Sequence, residues 1–184
     1  MVVSGPSGVG KTTIVREVLR RTGADFSVSV TTRQPREGEV DGRDYRFVSE
    51  AAFRNMAAGG ELLEWAEVFG QLYGTPARPV KQAIAEGRTI VLDVDVQGAL
   101  QVHRKVPQAT FVLIVPPDDA ALAVRLKSRG SDNPEAIASR LTQARKELAA
   151  ARESGVYNHE VVNDDLETAV RQVVAIVNQE RAQR

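Results

Sequence analysis

The chain has 184 residues, with 24 basic and 24 acidic side chains, two histidines and no cysteine. This length allows one domain with an insertion rather than two catalytic domains, and the missing cysteines exclude disulfides, thiolate metal sites and a cysteine nucleophile. A net charge of zero argues against a generally basic surface for nucleic acid, so recognition of phosphate must be local.

The first predicted elements are a short strand, a glycine-rich turn and a helix. The strand ends with Val2, Val3 and Ser4, and the helix is predicted over about 11–21, where apolar residues recur with helical spacing up to Gly23. Since only about three residues precede the turn, against roughly five to six in a typical strand, we expect this strand to be less well anchored than is normal.

The following segment, residues 27–75, has a different pattern. Apolar and polar residues alternate over 26–31 and 45–47, a short helix is predicted up to Gly59, and a further strand over 62–69. This pattern predicts a small, mostly antiparallel insertion with one exposed polar face, which would suit a substrate-binding lobe.

After the insertion, helices alternate with apolar strands, as a parallel sheet covered by helices requires. Helices are predicted over about 79–86, 97–105, 118–128, 134–153 and 166–183, and strands over 89–94, 110–115 and 160–163. The first two of these strands are β-branched and do not alternate, so we expect them to be buried on both faces.

The predicted fold is therefore α/β, with a mostly parallel sheet of the P-loop NTPase type flanked by helices. A single domain would comprise a core of residues 1–26 and 76–184, with a helical lid over about 125–150, and a small α+β subdomain at 27–75. No apolar run approaches the roughly 20 residues that span a bilayer, and the N-terminus lacks a signal-peptide pattern. We expect a cytoplasmic protein with neither membrane nor nucleic acid as partner, and the sequence favours neither a monomer nor a homo-oligomer.

The strongest local motif is GPSGVGKT, residues 5–12, which matches G-x-x-x-x-G-K-[ST] between a strand and a helix. Backbone N–H groups and the helix N-terminus would surround phosphate oxygens, Lys11 would bridge the terminal phosphates, and Thr12 would hold Mg²⁺. A tight turn without a ligand does not explain the lysine and two threonines. The predicted ATP-binding residues are Gly5, Pro6, Ser7, Gly8, Val9, Gly10, Lys11, Thr12 and Thr13.

Two arginines of the insertion, Arg33 and Arg36, flank a proline. With Tyr45 and Tyr73 they offer two guanidinium forks and two phenol donors, which could together hold one compact dianion. The alternative is that the arginines are solvated surface residues and that the Tyr45 ring only packs.

Four further side chains suit a purine base: the carboxylates of Glu64 and Asp95 and the hydroxyls of Ser29 and Thr75. Guanine presents N1–H and its N2 amine as donors and O6 as an acceptor, which two carboxylates and a hydroxyl complement. Adenine instead has an acceptor at N1, which would face a carboxylate. If these residues meet in the fold, they favour GMP over AMP; Glu64 could otherwise be an outward-facing charge on its strand.

Five segments follow the phosphate motif along the chain: SVSVTTRQPREGEVDGRDYRF (27–47), ELLEWAEVFGQLYGTP (61–76), LDVDVQGA (92–99), RLKSRG (125–130) and VVNDDL (161–166). With them the chain resembles the guanylate kinase family over essentially its whole length. The resemblance implies an enzyme of purine nucleotide metabolism that uses Mg²⁺ and transfers the γ-phosphate of ATP to GMP, and also to dGMP.

The resemblance also implies roles for individual residues. Lys11 matches the phosphate-loop lysine, and Asn163 falls where the family contacts adenine. Arginines that close over the transferring phosphate are matched by Arg125, Arg129 and Arg140. The GMP-binding positions are matched by Ser29, Arg33, Arg36, Tyr45, Glu64, Tyr73, Thr75 and Asp95. Asp93, which follows an apolar strand as a Walker-B acid does, is a candidate to support Mg²⁺ through water or else a structural carboxylate.

Three other functions compete with this interpretation: a kinase for another nucleoside monophosphate, a non-catalytic guanylate-kinase-like protein-binding module, and a regulatory P-loop ATPase. The complete phosphate motif argues against the module, and an ATPase would not need the 33–45 block. His103 and His159 match no motif and are expected at the surface, while Gln97 and Gly98 fit packing at a helix start as well as a function.

Overall fold

The backbone forms nine strands and seven helices within residues 1–68, 70–127 and 134–183, the part of the chain that the computed structural model describes. The strands are β1 (Val2–Ser4), β2 (Asp25–Phe26), β3 (Val30–Thr31), β4 (Arg46–Phe47), β5 (Leu62–Val68), β6 (Gln71–Pro76), β7 (Ile90–Val94), β8 (Phe111–Val115) and β9 (His159–Val162). The helices are α1 (Lys11–Thr22), α2 (Glu50–Ala58), α3 (Ala77–Ala85), α4 (Val96–Lys105), α5 (Asp119–Lys127), α6 (Pro134–Glu153) and α7 (Leu166–Ala182).

The larger sheet has the strand order β2-β7-β1-β8-β9, and every neighbouring pair in it is parallel. All five residues of β8 are buried, as are those of β7 except Asp93. One apolar cluster lies between the sheet and helices α1 and α7, and a second lies between the opposite face and helices α3 and α4. The predicted α/β fold, with strands buried on both faces, is confirmed.

The first strand is as short as predicted, but the expectation that it is poorly anchored is wrong. β1 lies at the centre of the sheet, where Val2 is paired with Leu92 on one side and with Phe111 on the other. The carbonyl of Met1 also accepts a hydrogen bond from the backbone N–H of Leu92, at 3.0 Å. Pairing with a strand on each side anchors β1 although it is short. The start of the loop that follows β1 is therefore held in place.

The insertion has a sheet of its own, in the order β4-β3-β6-β5. Two of its three pairings are antiparallel and the β3–β4 pairing is parallel, so the mostly antiparallel arrangement is confirmed. A separate apolar cluster of Val30, Phe53, Leu62 and Leu72 stabilises it. Strand β6 was not predicted, and β2 belongs to the larger sheet although its sequence continues the alternation of β3.

Helices α5 and α6 pack together through Leu122, Leu126, Ile137 and Ala144. The predicted end of the first helix at residue 128 lies outside the described residues, and the role of these helices as a lid stays a prediction. Within the described part of the chain, no helix combines the length and the apolar character needed to cross a membrane.

Both histidines were expected at the surface, and both are half-buried. The ring of His103, on α4, lies 5.3 Å from that of Phe111 at the start of β8, edge to face, and its Nδ1 atom is buried. His159 lies at the start of β9.

Candidate active site

The phosphate motif forms the loop between β1 and α1, at the carboxyl end of the central strand. Ser7, Thr12 and Thr13 are exposed there, whereas Pro6 and Val9 are buried beneath. The first amides of α1 have no carbonyl partner within the helix, so they are donors for an anion. Lys11 donates from Nζ to the carbonyl oxygen of Gly5 at 3.1 Å, which folds its ammonium group back over the loop.

Glycine is required at Gly8 and Gly10, where φ is 87° and 92°. A Cβ atom at Gly8 would lie 2.7 Å from Cδ2 of Leu126, and one at Gly10 would lie 2.5 Å from Nδ2 of Asn163. The loop therefore rests directly on α5 and on the residue that follows β9. Packing alone would demand these two glycines, in addition to their use in binding phosphate.

Asp93 links the loop to the neighbouring strand β7. Its Oδ2 accepts a hydrogen bond from the hydroxyl of Thr12 at 3.0 Å, and its Oδ1 lies 3.7 Å from Nζ of Lys11. A hydroxyl and a carboxylate side by side fit Mg²⁺, which takes oxygen ligands and commonly binds through one or two protein groups plus phosphates and water. Among the described residues, no group of three or more His, Cys, Asp or Glu side chains could hold a metal ion.

Arg125 and Asn163 hold the far side of the loop. The Arg125 guanidinium donates to the carbonyl oxygen of Asn163 at 2.8 Å and reaches that of Val9 at 3.4 Å. The side-chain amide of Asn163 donates to the same Val9 carbonyl at 2.7 Å, and this side chain is buried. The structure thus places Asn163 beneath the loop, a support that the sequence did not reveal; its contact with adenine stays a prediction.

The other predicted lid arginines are only partly described. Arg140 is half-buried on α6, and Arg129 lies outside the described residues.

Helix α6 also carries Glu147, which the sequence did not suggest as a site residue. Burial is the main cause that raises the pKa of Glu147, and the charge of Asp95 raises it further, while Lys11 lowers it. The helix therefore brings an acid within electrostatic reach of both halves of the site.

The insertion brings Arg33, Tyr45 and Tyr73 together. The Arg33 guanidinium lies 5.3 Å from the centroid of the Tyr45 ring, and the Tyr45 and Tyr73 rings are 6.0 Å apart, edge to face. Glu39, which was missed from the sequence, accepts from Nη2 of Arg33 at 2.8 Å and from the backbone N–H of Arg36 at 2.7 Å. Glu39 thereby raises the pKa of Arg33, and its own pKa is lowered. The side chain of Arg36 is exposed.

Glu64 is buried, so the alternative of an outward-facing charge is wrong. Its Oε1 accepts a hydrogen bond from the hydroxyl of Thr75, on the paired strand β6, at 2.6 Å. Burial, with a smaller contribution from the charge of Asp95, raises the pKa of Glu64 to about 7. Ser29 precedes the Val30–Gly74 pair of β3 and β6, on the side where Thr75 lies.

Asp95 caps helix α4: its Oδ1 accepts from the backbone N–H of Gly98 at 2.6 Å. A Cβ atom at Gly98 would lie 2.7 Å from Oε2 of Glu64 and 3.3 Å from Oδ1 of Asp95. The two carboxylates predicted to bind a base therefore meet at the first turn of this helix. The cap explains why α4 starts at Val96, and it shows that Asp95 has a structural contact in addition to its predicted role.

The sequence is similar to that of known proteins. Residues 1–180 match the model of the family described as "Guanylate kinase". The chain belongs to the guanylate kinase family. The guanylate kinase of Gloeobacter violaceus is 54% identical over 181 residues, which cover 98% of this chain and 87% of that protein. The guanylate kinase of Nocardia farcinica is 50% identical over 179 residues, covering 96% and 91%.

The fold agrees with solved structures of kinases. The crystal structure of guanylate kinase from Anaplasma phagocytophilum superimposes with a TM-score of 0.81 at 31% sequence identity, covering 98% of this chain and 84% of that chain. Shikimate kinase from Bacteroides thetaiotaomicron matches with a TM-score of 0.55 at 15% identity, covering 96% of each chain, which is a likeness of fold alone. Because the relatives at about 50% identity are guanylate kinases, this family member is an enzyme rather than a scaffold module.

Proposed function

We propose that this protein transfers the γ-phosphate of ATP to GMP, to give ADP and GDP. One observation carries the proposal: residues 93–95, at the end of β7, serve both halves of the site. Asp93 contacts Lys11 and Thr12 of the phosphate loop, and Asp95, two residues further on, lies beside Glu64. A donor bound at the loop and a base bound at the two carboxylates would therefore be neighbours.

On the donor side, we infer that ATP binds with its phosphates over the loop, where the N-terminus of α1 and the ammonium group of Lys11 offset their charge. Arg125, already bonded to the carbonyl oxygens of Val9 and Asn163, and Arg140 on α6 would stabilise the charge of the transferring group. Arg129 is proposed for the same role. Thr12 and Asp93 would hold Mg²⁺, which supplies charge neutralisation on the phosphates when bound.

On the acceptor side, Arg33, Arg36, Tyr45 and Tyr73 would bind the phosphate of GMP. The face of the Tyr45 ring already orients the Arg33 guanidinium, so little ordering is needed when a dianion arrives. We infer that Glu39 holds the segment in this form, because its carboxylate joins the Arg33 side chain to the Arg36 backbone.

The guanine base of GMP would be bound at the opposite end of the acceptor site from its phosphate. Ionised Glu64 accepts hydrogen bonds from N1–H and the N2 amine of guanine, with Asp95, Ser29 and Thr75 completing the set. An adenine in the same place would face a carboxylate with its N1 acceptor, and both groups would lack a donor. This difference is the physical basis for preferring GMP and dGMP over AMP.

The reaction itself needs alignment more than covalent help. An oxygen of the GMP phosphate attacks the γ-phosphorus of ATP, the bond from that phosphorus to the bridging oxygen breaks, and ADP leaves. The attacking oxygen is anionic at neutral pH, so no general base is required. The protein's part is to place the two phosphates in line and to exclude water, which would otherwise accept the phosphoryl group.

A panel of acceptors tests the proposal. ADP release from ATP would be measured with GMP, dGMP, AMP, UMP and CMP, and without an acceptor. We expect rapid release with GMP, slower or comparable release with dGMP, and little with the others. Preference for AMP or UMP would identify a different monophosphate kinase, equal release without acceptor would identify an ATPase, and no release with any acceptor would support a binding module.

A further inference from the structure

Gly98 lies in the first turn of α4, and neither the conformation of the helix nor its capping requires a glycine there. Its φ is not in the left-handed region, and a backbone N–H, which is all that it gives to Asp95, is present in any residue except proline. Glycine inside a helix is disfavoured relative to alanine. Some other requirement must therefore explain this residue.

We propose that Gly98 is a specificity-determining position of the acceptor site: the space left by its missing side chain is what allows the carboxylate of Glu64 to lie against α4 beside Asp95. Gly98 would thus act as a positioning residue for the acid that reads guanine, without touching the substrate. The inference rests on the proposed function and extends it to a residue outside the pocket lining.

The first step is the lack of room. A Cβ at Gly98 would lie 2.7 Å from Oε2 and 3.2 Å from Cδ of Glu64. Contacts under 3.0 Å are essentially never made by real Cβ atoms, so either the carboxylate or the helix would have to move. The carboxylate is buried and bonded to Thr75, so moving it would strain or break that bond.

The second step is that the helix is fixed to the strand that carries Glu64. The side chain of Gln101, about one turn beyond Gly98, accepts from the backbone N–H of Trp65 at 3.2 Å and donates to its carbonyl at 2.8 Å. One further turn on, Lys105 donates to the carbonyl of Leu62 at 3.3 Å. With α4 held to β5 at these points, an added methyl group displaces the carboxylate rather than the helix.

The functional consequence is specific to the base. A shifted Glu64 carboxylate would no longer match the spacing of the two guanine donors, while the phosphate loop, on the other side of residues 93–95, would keep its contacts. We expect Gly98→Ala to raise the KM for GMP tenfold or more, to narrow the preference for GMP over AMP, and to leave the KM for ATP within twofold of wild type.

The experiment compares wild type, Gly98→Ala, Glu64→Asp and the double variant, with Gln97→Ala as the control from the same turn, since Gln97 is exposed. Shortening Glu64 by one methylene returns the space that the new methyl group takes. We therefore expect Glu64→Asp to raise the KM for GMP when introduced alone, but not to raise it further when combined with Gly98→Ala, a non-additive result. Thermal unfolding of each variant checks that the fold is kept.

The role of Gly98 would be overturned by an unchanged KM for GMP in Gly98→Ala, by equal rises in the KM for GMP and ATP, or by strictly additive effects in the double variant. Wild-type protein that fails to phosphorylate GMP would overturn the proposed function and this inference together. Wild-type turnover of GMP combined with an unchanged Gly98→Ala variant would overturn the inference alone.

Discussion

Glu64 should make the stability of this protein depend on pH in a way that a glutamine at the same position does not. Its pKa is about 7 in the folded protein, against an ordinary value of 4.5 for a solvated glutamate, which applies to the unfolded chain. Between pH 4.5 and pH 7 the Glu64 carboxyl group is protonated in more of the folded molecules than of the unfolded ones. The free energy of unfolding therefore falls as pH rises from 4.5 through 7. A shift of one pKa unit corresponds to about 1.4 kcal/mol, and the full shift to about 3 kcal/mol.

The test is urea unfolding of wild type and Glu64→Gln at pH 5, 6, 7 and 8 without nucleotide. Other groups titrate in both proteins and cancel when the two free energies are subtracted. Relative to wild type, we expect the glutamine variant to gain about 2 to 3 kcal/mol of stability between pH 5 and pH 8. Glu67→Gln, on the same strand but with an exposed side chain, is the matched control and should show a flat difference.

A difference between wild type and Glu64→Gln that stays constant across this range would refute the reasoning. It would mean that the carboxyl group ionises in the fold as easily as in the unfolded chain. The hydrogen bond from Thr75 would then offset the whole effect of burial, and Glu64 would carry its negative charge over most of the pH range tested.

Three further predictions concern activity. The KM for GMP of wild type, divided by that of Glu64→Gln at the same pH, should fall about tenfold from pH 6 to pH 8. Dividing the two values cancels the ionisation of the GMP phosphate, and a ratio that does not change with pH would contradict the prediction. Lys11→Ala should lower turnover by at least about a thousandfold while calorimetry shows unchanged GMP binding, and near-wild-type turnover would remove Lys11 from the reaction. Asn163→Ala should raise the KM for ATP about tenfold but not that for GMP, since it removes a bond to the Val9 carbonyl and none from the insertion.

Elements with a strong local sequence pattern were predictable from the sequence. The apolar runs of β7 and β8 lack alternation and are buried on both faces, and α6 has the bounds expected from its pattern. The phosphate loop was equally clear, since its glycines and lysine are contiguous. In contrast, β6 contains Gly74 and ends at Pro76, residues that weaken a strand pattern, and its pairing with β5 and β3 is what makes it a strand.

The site was predictable as a set of residues but not as a geometry. That Glu64 and Asp95 meet depends on the packing of α4 against β5, two elements that are far apart along the chain. Glu39 and the support that Asn163 gives to the loop were missed for the same reason: an acid in a polar loop and an amide after a strand show nothing of their partners until the Arg33 guanidinium and the Val9 carbonyl are beside them.

The contact of the phosphate loop with α5 has a consequence for how the protein responds to ATP. Gly8 rests against Leu126, and Arg125 from the same helix bonds the loop carbonyl of Val9 and the carbonyl of Asn163 beneath the loop. Helix α5 and the loop are therefore expected to move together. By linkage, whatever displaces α5 must change the affinity for ATP, and bound ATP must resist that displacement by the same free energy. Because α6 packs on α5, a label on α6 would report whether ATP occupies the loop.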